Sequence, residues 1–374
     1  MNSDSVFMQR AIELALQGRG WTSPHPMAGA VVTQGDQIVG EGFYLQAGQP
    51  HAERCALDAA GEAARGGTLY TTIEPCHHAG RESPCVERIL EAGLSRVVIA
   101  HEDGIPATAG RGIRALEEAG LEVTVGVERE AARRLNEVFF KYSATRRPFV
   151  ALRSAMSLDG KIATAVGERD YIGGHEARAH LHQLRGTYDA VLVGVTTLIQ
   201  DDPDIHCMLP RSRTPLRVVV DSLARTPLSC KMLSKQQGTG RLRPSTLVAV
   251  TRYAPEDRIR ALQALGAEIL VCPEISSGLE SHVDLNKLMQ ILSRRGITSV
   301  LVEGGGNLNA AALHAGIVDK LYCTIAPMII GGQSALTPVE GLGVSLVEEA
   351  LPLYDMRSRS MGSDLLIEAY LHEV

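Results

Sequence analysis

Two short stretches carry residue types that can do chemistry together. Residues 50–60, PHAERCALDAA, set His51 and Glu53 two apart; residues 73–85, IEPCHHAGRESPC, place Cys76 and Cys85 each directly after a proline. A metal that acidifies bound water needs two or three soft ligands and one coordination position left open. Hydrolytic removal of an amine also needs a carboxylate that is not a ligand, to take the water's proton and pass it to the leaving group. His51, Cys76 and Cys85 supply such ligands for zinc, and Glu53 supplies the carboxylate. The competing reading is two core cysteines and a polar histidine, and an H-x-E pair alone is a weak signal. Joined to strand-Pro-Cys and a second cysteine opening a helix, it reads as zinc. Cys55, four residues after His51, lies on the same helical face. It is either a fourth ligand or a small core residue, as buried cysteine usually is, and the second is preferred. His77 and His101 read as loop or solvent residues.

These residues need elements to position them. Met8, Ala11, Ile12 and Ala15 recur at helical spacing, so residues 6–17 form a first helix. AGAVVTQGDQIVGEGF (28–43) reads as a hairpin turning at Gly35-Asp36. An Ala-rich helix covers 51–64, with His51 and Glu53 at its start, and a strand covers 68–75. Cys85 opens a helix over 85–93, where the dipole favours a thiolate. A strand at 95–100, a helix at 111–120, a strand at 121–127 and a charged helix at about 128–141 follow. SATRRP (143–148) ends in Pro148, so the boundary is expected there, with domains over 1–145 and 146–374. The second half has a strand and Gly turn at FVALRSAMSLDGKIA, a strand and short helix within 189–203, and buried strands at 216–222 and 245–250. TSVLVEGGGNLNAAALHAG (298–316) is a strand, three glycines and a helix, and segments 319–332 and 364–374 close the sheet. SKQQGTGRLRPS (234–245) reads as a mobile surface loop. Alternating strands and helices indicate a layered α/β fold in both halves.

Bulk properties exclude other classes. The 374 residues suffice for two to three domains of about 150 each, and 45% hydrophobic with 21% charged residues is ordinary for a globular protein. A net charge of −6 without a basic run leaves no nucleic-acid footprint, and 4% aromatic residues argue against base-stacking platforms. No stretch of about 18 apolar residues exists, so no membrane span is expected, nor does MNSDSVFMQRAIELALQGRG read as a signal peptide. The seven scattered cysteines fit a reducing cytoplasm.

The chain resembles the bifunctional riboflavin-biosynthesis deaminase/reductases along almost its whole length. The blocks that carry the resemblance are TSPHPMAGAVV, AGQPHAE, IEPCHHAGRESPC, SLDGKIA, LRGTYDAVLVGVTTLIQDDP, PLRVVVDS, LVEGGGNL and APMIIGG, in order. The resemblance implies an N-terminal cytidine-deaminase-like three-layer α/β/α domain and a C-terminal dihydrofolate-reductase-like α/β domain. The first would remove the 2-amino group of 2,5-diamino-6-ribosylamino-4(3H)-pyrimidinone 5′-phosphate with zinc. The second would reduce the ribosyl group to ribityl with NADPH. It also implies a cytoplasmic homo-oligomer, joined through the reductase domains, with a phosphoribosyl-pyrimidine as its small-molecule partner. His51, Cys76 and Cys85 fall on the family's zinc ligands and Glu53 on its proton shuttle. His78 and Arg81 fall on substrate-phosphate positions and Asp103 on a ribose-contacting one. In the second half Thr197 and Asp201 fall on NADP-contacting positions, with Tyr171 in place of a tryptophan. Gly304, Gly305 and Gly306 would offer backbone N–H groups and a helix N-terminus to a pyrophosphate, although a plain tight turn is the alternative for a lone glycine triplet. Arg185, Ile205 and Glu303 fall on substrate positions.

Several pocket residues depart from the family pattern. His25 stands where an asparagine reads the pyrimidine edge; neutral imidazole also offers a donor and an acceptor, at a different span. Ile105 stands in the block after Asp103, and Glu82 sits beside the expected phosphate site. Arg153 replaces a lysine of the reductase substrate site and is a poor proton donor. Met208 stands where an arginine would grip phosphate, so that grip is expected to rest on Arg185. A relative acting on a related pyrimidine in a specialised, toxoflavin-like pathway, or with one active half, is the alternative. A non-catalytic nucleotide- or protein-binding member is another, against which the retained Glu53 speaks.

Overall fold

The computed structural model describes residues 3–78, 83–167, 172–209, 213–233, 246–277 and 280–373. Contacts divide the chain into two units, Met1–Arg147 and Pro148–Val374. The sequence put this boundary two residues earlier. Thr145 still belongs to a helix, which ends as Arg146 turns left-handed at φ 54°.

The first unit runs α1 (Ser3–Ala15), β1 (Gly29–Gln34), β2 (Gln37–Phe43), α2 (Ala52–Ala60), β3 (Thr68–Thr71), α3 (Cys85–Glu91), β4 (Arg96–Ile99), α4 (Arg111–Glu118), β5 (Glu122–Val125), α5 (Arg129–Leu135) and α6 (Glu137–Thr145). The strands form one sheet in the order β2-β1-β3-β4-β5, with β1 antiparallel to both neighbours and β3, β4 and β5 parallel. Strand alternation separates two cores. Ala30, Val32, Leu69, Val97 and Ile99 face α2, α3 and α4, where Ala56, Leu57, Ile89 and Leu116 bury against them. Val31, Tyr70 and Val98 face the other way, onto Phe7, Met8, Ala11 and Leu14 of α1. The result is the three-layer α/β/α sandwich.

Two sequence-based elements differ. The strand expected over 68–75 ends at Thr71, and residues 72–78 leave the sheet to carry Cys76. The charged helix expected over 128–141 is two helices, broken at Asn136 with φ −114°. There the Asn136 side chain takes the place of a backbone partner: its Oδ1 accepts from Met27 N at 2.8 Å and its Nδ2 donates to Met27 O at 2.9 Å.

The second unit runs β6 (Phe149–Ser157), α7 (His175–Thr187), β7 (Ala190–Gly194), α8 (Val195–Asp201), β8 (Leu216–Val220), β9 (Thr246–Val250), α9 (Glu256–Ala264), β10 (Glu268–Val271), β11 (Glu274–Ser277), β12 (Glu280–Val283), α10 (Leu285–Arg294), β13 (Ser299–Val302), α11 (Gly306–His314), β14 (Lys320–Ala326), β15 (Tyr354–Met361) and β16 (Asp364–Tyr370). Its main sheet has the order β10-β9-β8-β7-β13-β6-β14-β16-β15, parallel as far as β14, with β16 and β15 antiparallel; β11 and β12 make a separate hairpin. Val150, Leu192, Val218, Leu247 and Val300 bury against Leu285, Leu288 and Leu292 of α10 and Ala312 of α11. Their neighbours Ala151, Val191, Val219, Val248 and Leu301 are equally buried on the opposite face. Strands hidden on both faces read as continuous apolar runs, which is why they are visible in the sequence. Residues 234–245 lie outside the described residues.

Candidate active sites

His51 caps α2 in an extended conformation, and Cys85 is the first residue of α3. Cys76 sits on the segment leaving β3. These three meet: their ligand atoms lie within 4.8 Å of one another. His51 Nδ1 is 3.3 Å from Cys85 Sγ and 3.6 Å from Cys76 Sγ. A tetrahedral zinc with ordinary Zn–S and Zn–N bonds sets nitrogen–sulfur separations of about 3.6 Å. The donor set therefore fits zinc and leaves one position open. The Cys85 N–H donates to Cys76 Sγ at 3.4 Å. A hydrogen bond from Cys85 is the main cause that lowers the Cys76 thiol, with His51 helping; the same bond, then burial, pushes Cys85 up.

Glu53, on the first turn of α2, is 3% exposed. Its Oε1 accepts from the Thr71 hydroxyl at 3.3 Å, and its Oε2 lies 3.6 Å from Cys85 Sγ. The carboxylate is beside the ligands without being one of them, and burial pushes it up from the usual carboxylate range. Cys55 is outside the cluster: its thiol turns to Pro50 O at 3.9 Å, and burial raises it. Among the described residues, it is not part of the group whose ligand atoms converge.

The cluster opens into a cavity of about 670 Å³, which His25, His78 and Asp103 also line. His25 and His51 each make a T-shaped contact with the Tyr44 ring, at 6.0 and 5.3 Å between ring centroids. Burial, then the nearby His51, lowers the His25 pKa, and the ring lines the cavity. Arg81 and Glu82 lie outside the described residues. Tyr44, Glu74 and Phe139 also border the cavity; sequence reasoning missed them. Glu74 alone had a signal, as a carboxylate two residues before a ligand.

In the second unit β13 lies between β6 and β7, and their carboxyl ends open a cleft of about 180 Å³. Arg153, Thr197, Asp201, Glu303, Gly304 and Gly305 line it. This is where open α/β sheets bind nucleotides. A Cβ built on Gly305 would meet only Thr197 Oγ1, at 3.4 Å, so that backbone faces the open cleft. Asn309, 1% exposed, holds Pro338 O through Nδ2 at 2.8 Å and leaves Oδ1 without a partner. The residues fit part of a dinucleotide. Tyr171 lies outside the described residues.

Three of the expected residues have surroundings of their own. Gly306 is not among the residues lining the cleft, and a Cβ on it would lie 2.5 Å from Thr337 O and 2.1 Å from Glu340 Cγ, so close packing also requires glycine there. Ile205 is 2% exposed and belongs to the core. Arg185 is buried against Glu303, and its Nη1 donates to Asp204 O and His206 O, both at 3.3 Å. The guanidinium is thus engaged by Glu303 and by two backbone carbonyls. Met208 is 66% exposed and, among the described residues, does not line the cleft.

Comparison with known proteins agrees with this geometry. The family model for the cytidine and deoxycytidylate deaminase zinc-binding region matches residues 1–101, and that for the RibD C-terminal domain matches 148–367. The riboflavin biosynthesis protein RibD of Actinobacillus pleuropneumoniae is 40% identical over 368 residues, 98% of this chain and 95% of that protein. RibD of Synechocystis is also 40% identical, over 99% of this chain and 97% of its own length. Among solved structures, Acinetobacter baumannii RibD superposes with a TM-score of 0.83 at 34% identity over 98% of both chains. The diaminohydroxyphosphoribosylaminopyrimidine deaminase/5-amino-6-(5-phosphoribosylamino)uracil reductase of Thermotoga maritima does so at 0.81 and 33%, again over 98% of both.

Proposed function

This chain belongs to the RibD family of riboflavin-biosynthesis deaminase/reductases, and from that membership we propose how its residues share two successive reactions. The first unit is a zinc-dependent deaminase and the second an NADPH-dependent reductase. The substrate is the phosphoribosylated diaminopyrimidinone, which loses its 2-amino group before its ribosyl chain is reduced to ribityl.

The observation that carries the first assignment is the convergence of His51 Nδ1, Cys76 Sγ, Cys85 Sγ and the Glu53 carboxylate on one cavity. Zinc, when bound by the three ligands, supplies a Lewis acid that brings water's acidity near neutral pH. Glu53, held by the Thr71 hydroxyl, takes the proton from water and delivers it to the departing amine. His25 presents one donor and one acceptor to the pyrimidine edge. His78 and Arg81 hold the phosphate, and Asp103 contacts the ribose.

In the second unit NADPH supplies the reducing equivalent. Gly304 and Gly305 give it backbone N–H groups, and Thr197 and Asp201 line the same cleft; the family resemblance adds Tyr171 as a cofactor contact. Arg153 brings a positive charge to the substrate end of that cleft. Glu303, held by Arg185, shapes the substrate side.

The reductase unit also supports self-association. β15 is an edge of the main sheet, and the segment before it exposes Leu342, Val344, Leu346, Val347 and Leu351. Exposed apolar side chains of this kind preceding an open edge strand suit a second copy of the chain. Light scattering should show a dimer or larger, shifted toward monomer by Val347→Glu; a monomeric wild type at micromolar concentration rules this out. Among the described residues, no helix is long and apolar enough to cross a membrane. A cytoplasmic location fits the seven free cysteines, and no nucleic-acid partner is proposed.

The test is direct. Purified protein should release ammonia from the diaminopyrimidinone phosphate and then oxidise NADPH. Glu53→Gln should abolish ammonia release while keeping zinc and leaving reduction of the deaminated intermediate intact. Deamination by Glu53→Gln at the wild-type rate would remove Glu53 from the shuttle role.

A further inference from the structure

Glu74 stands two residues before Cys76, 7% exposed, at the edge of the deaminase cavity. Its carboxylate accepts four backbone N–H groups. Oε1 takes Gly112 N at 2.7 Å and Ile113 N at 3.2 Å, and Oε2 takes Gly110 N at 2.9 Å and Asp103 N at 3.0 Å. Four bonds saturate the lone pairs of an ionised carboxylate.

All four donors belong to one stretch of chain. α4 starts at Arg111, and its cap position is Gly110, which has φ 76° and no side chain to cap with. Gly112 and Ile113 are the second and third residues of α4, the donors that an N-cap side chain normally satisfies. Glu74 satisfies them from another segment and places a negative charge at the positive helix end. Its second oxygen closes the loop that runs from Asp103 to Gly110. Inside that loop Asp103 Oδ1 accepts from Ile105 N at 3.0 Å, and Asp103 Oδ2 accepts from the Thr108 hydroxyl. Asp103 and Ile105 face the cavity. The two segments touch so closely that a Cβ on Gly112 would lie 2.1 Å from Pro75 O.

We propose that Glu74 is a positioning residue of the deaminase, which fixes the substrate-facing wall formed by Asp103 and Ile105 at a set distance from the ligand Cys76. It touches no reacting atom. One rigid carboxylate joins the segment that carries a ligand to the segment that carries the wall, so its loss moves the wall relative to the metal. The inference rests on reading this cavity as the deaminase site.

The experiment measures ammonia release from the phosphoribosyl diaminopyrimidinone by the full chain. Glu74→Gln keeps one acceptor oxygen and turns an amide NH2 toward N–H donors, which leaves buried donors without partners. Substrate KM should rise about ten- to a hundredfold, with kcat, zinc content and the reductase rate close to wild type. Thr108→Val removes the hydroxyl that holds Asp103, loosening the same wall without touching the Glu74 carboxylate, and should also raise KM, by less. If Glu74→Gln fails to fold, the Thr108→Val result decides, and an unchanged KM there overturns the proposal. A wild-type KM in Glu74→Gln, or a lowered melting temperature with unchanged kinetics, overturns it as well. Loss of zinc in Glu74→Gln overturns it too, because the carboxylate would then serve the metal loop and not the wall. A wild type that releases no ammonia sinks the site reading together with the inference; an active wild type with an unaffected Glu74→Gln sinks the inference alone.

Discussion

Arg185 and Glu303 face each other through two parallel hydrogen bonds, Nε to Oε1 at 2.8 Å and Nη2 to Oε2 at 2.7 Å, with both side chains 9% exposed. The pair joins α7 to the turn after β13, and it keeps the Glu303 end of the cleft in place. Removing one partner leaves a buried charge without compensation, which costs about 3–5 kcal/mol. Arg185→Ala should therefore lower the urea midpoint of the reductase unit. A wild-type midpoint accompanied only by a higher substrate KM would return Arg185 to the role of phosphate contact.

With the Arg185 guanidinium engaged by Glu303, Met208 is the position to test for phosphate binding. Met208→Arg restores a cationic donor on the segment whose carbonyls Arg185 holds. A charged hydrogen bond contributes about 1.5–3 kcal/mol, so KM for the deaminated intermediate should drop on the order of tenfold with kcat little changed. If steady-state assays show no change in KM, phosphate is bound elsewhere and the residue marks a shifted substrate.

Gly305 and Gly306 are adjacent but should respond differently to alanine. Gly306→Ala drives a Cβ against the Thr337 carbonyl, which as backbone cannot swing away. Such overpacking costs about 1–3 kcal/mol, so thermal melting should shift down. Gly305→Ala meets only the Thr197 hydroxyl. Its melting should stay near wild type, while the KM for NADPH rises. Reversed effects would mean that the cofactor lies over Gly306.

Zinc should be held by two sulfurs and one nitrogen from the protein. Cys76→Ala and Cys85→Ala should each lose metal by elemental analysis, and Cys55→Ala should keep it. X-ray absorption showing three sulfurs would make Cys55 a ligand after all. Chelation should stop ammonia release and leave reduction of the deaminated intermediate untouched.

Acid should weaken the first unit through Asp4. Arg96 donates to both Asp4 oxygens at 2.9 Å, and Tyr70 donates to Oδ1 at 2.9 Å. The Arg96 hydrogen bonds are the main cause that holds the Asp4 carboxyl below its usual value. A depressed folded pKa stabilises the protein above the unfolded value of about 3.9, and the contribution vanishes as pH falls through the folded value. Asp4→Asn should therefore be less stable than wild type at pH 7, with the gap closing below about pH 4. A gap of constant size in denaturation curves across that range would show that Asp4 carries no titrating contribution.

Helix starts, buried strands and the ligand set were legible in the sequence because each depends on local order. His51 and Glu53 are two residues apart at the start of one helix, and Cys85 follows a proline that opens another. The parallel strands of the second unit are apolar on both faces, so their runs stand out against the loops. The break at Asn136 was not legible, since the side chain responds to Met27, which is distant in the chain. Nor was β15 legible, an exposed edge strand with no apolar alternation.

The sequence by itself determined which side chains could hold zinc, which carboxylate stands near them, and which glycines end a strand. Only the tertiary structure decided which of these share a cavity. It turned Cys55 toward Pro50, set Gly306 beneath residues 337–340, and spent Arg185 on Glu303. It also gave Glu74 four backbone donors from a stretch that begins 29 residues further along the chain. The physical reason is the range of the interactions. Helix and strand signals are carried by neighbouring residues, whereas a buried charge or an uncapped helix end is satisfied by whichever group the fold brings within about 3 Å.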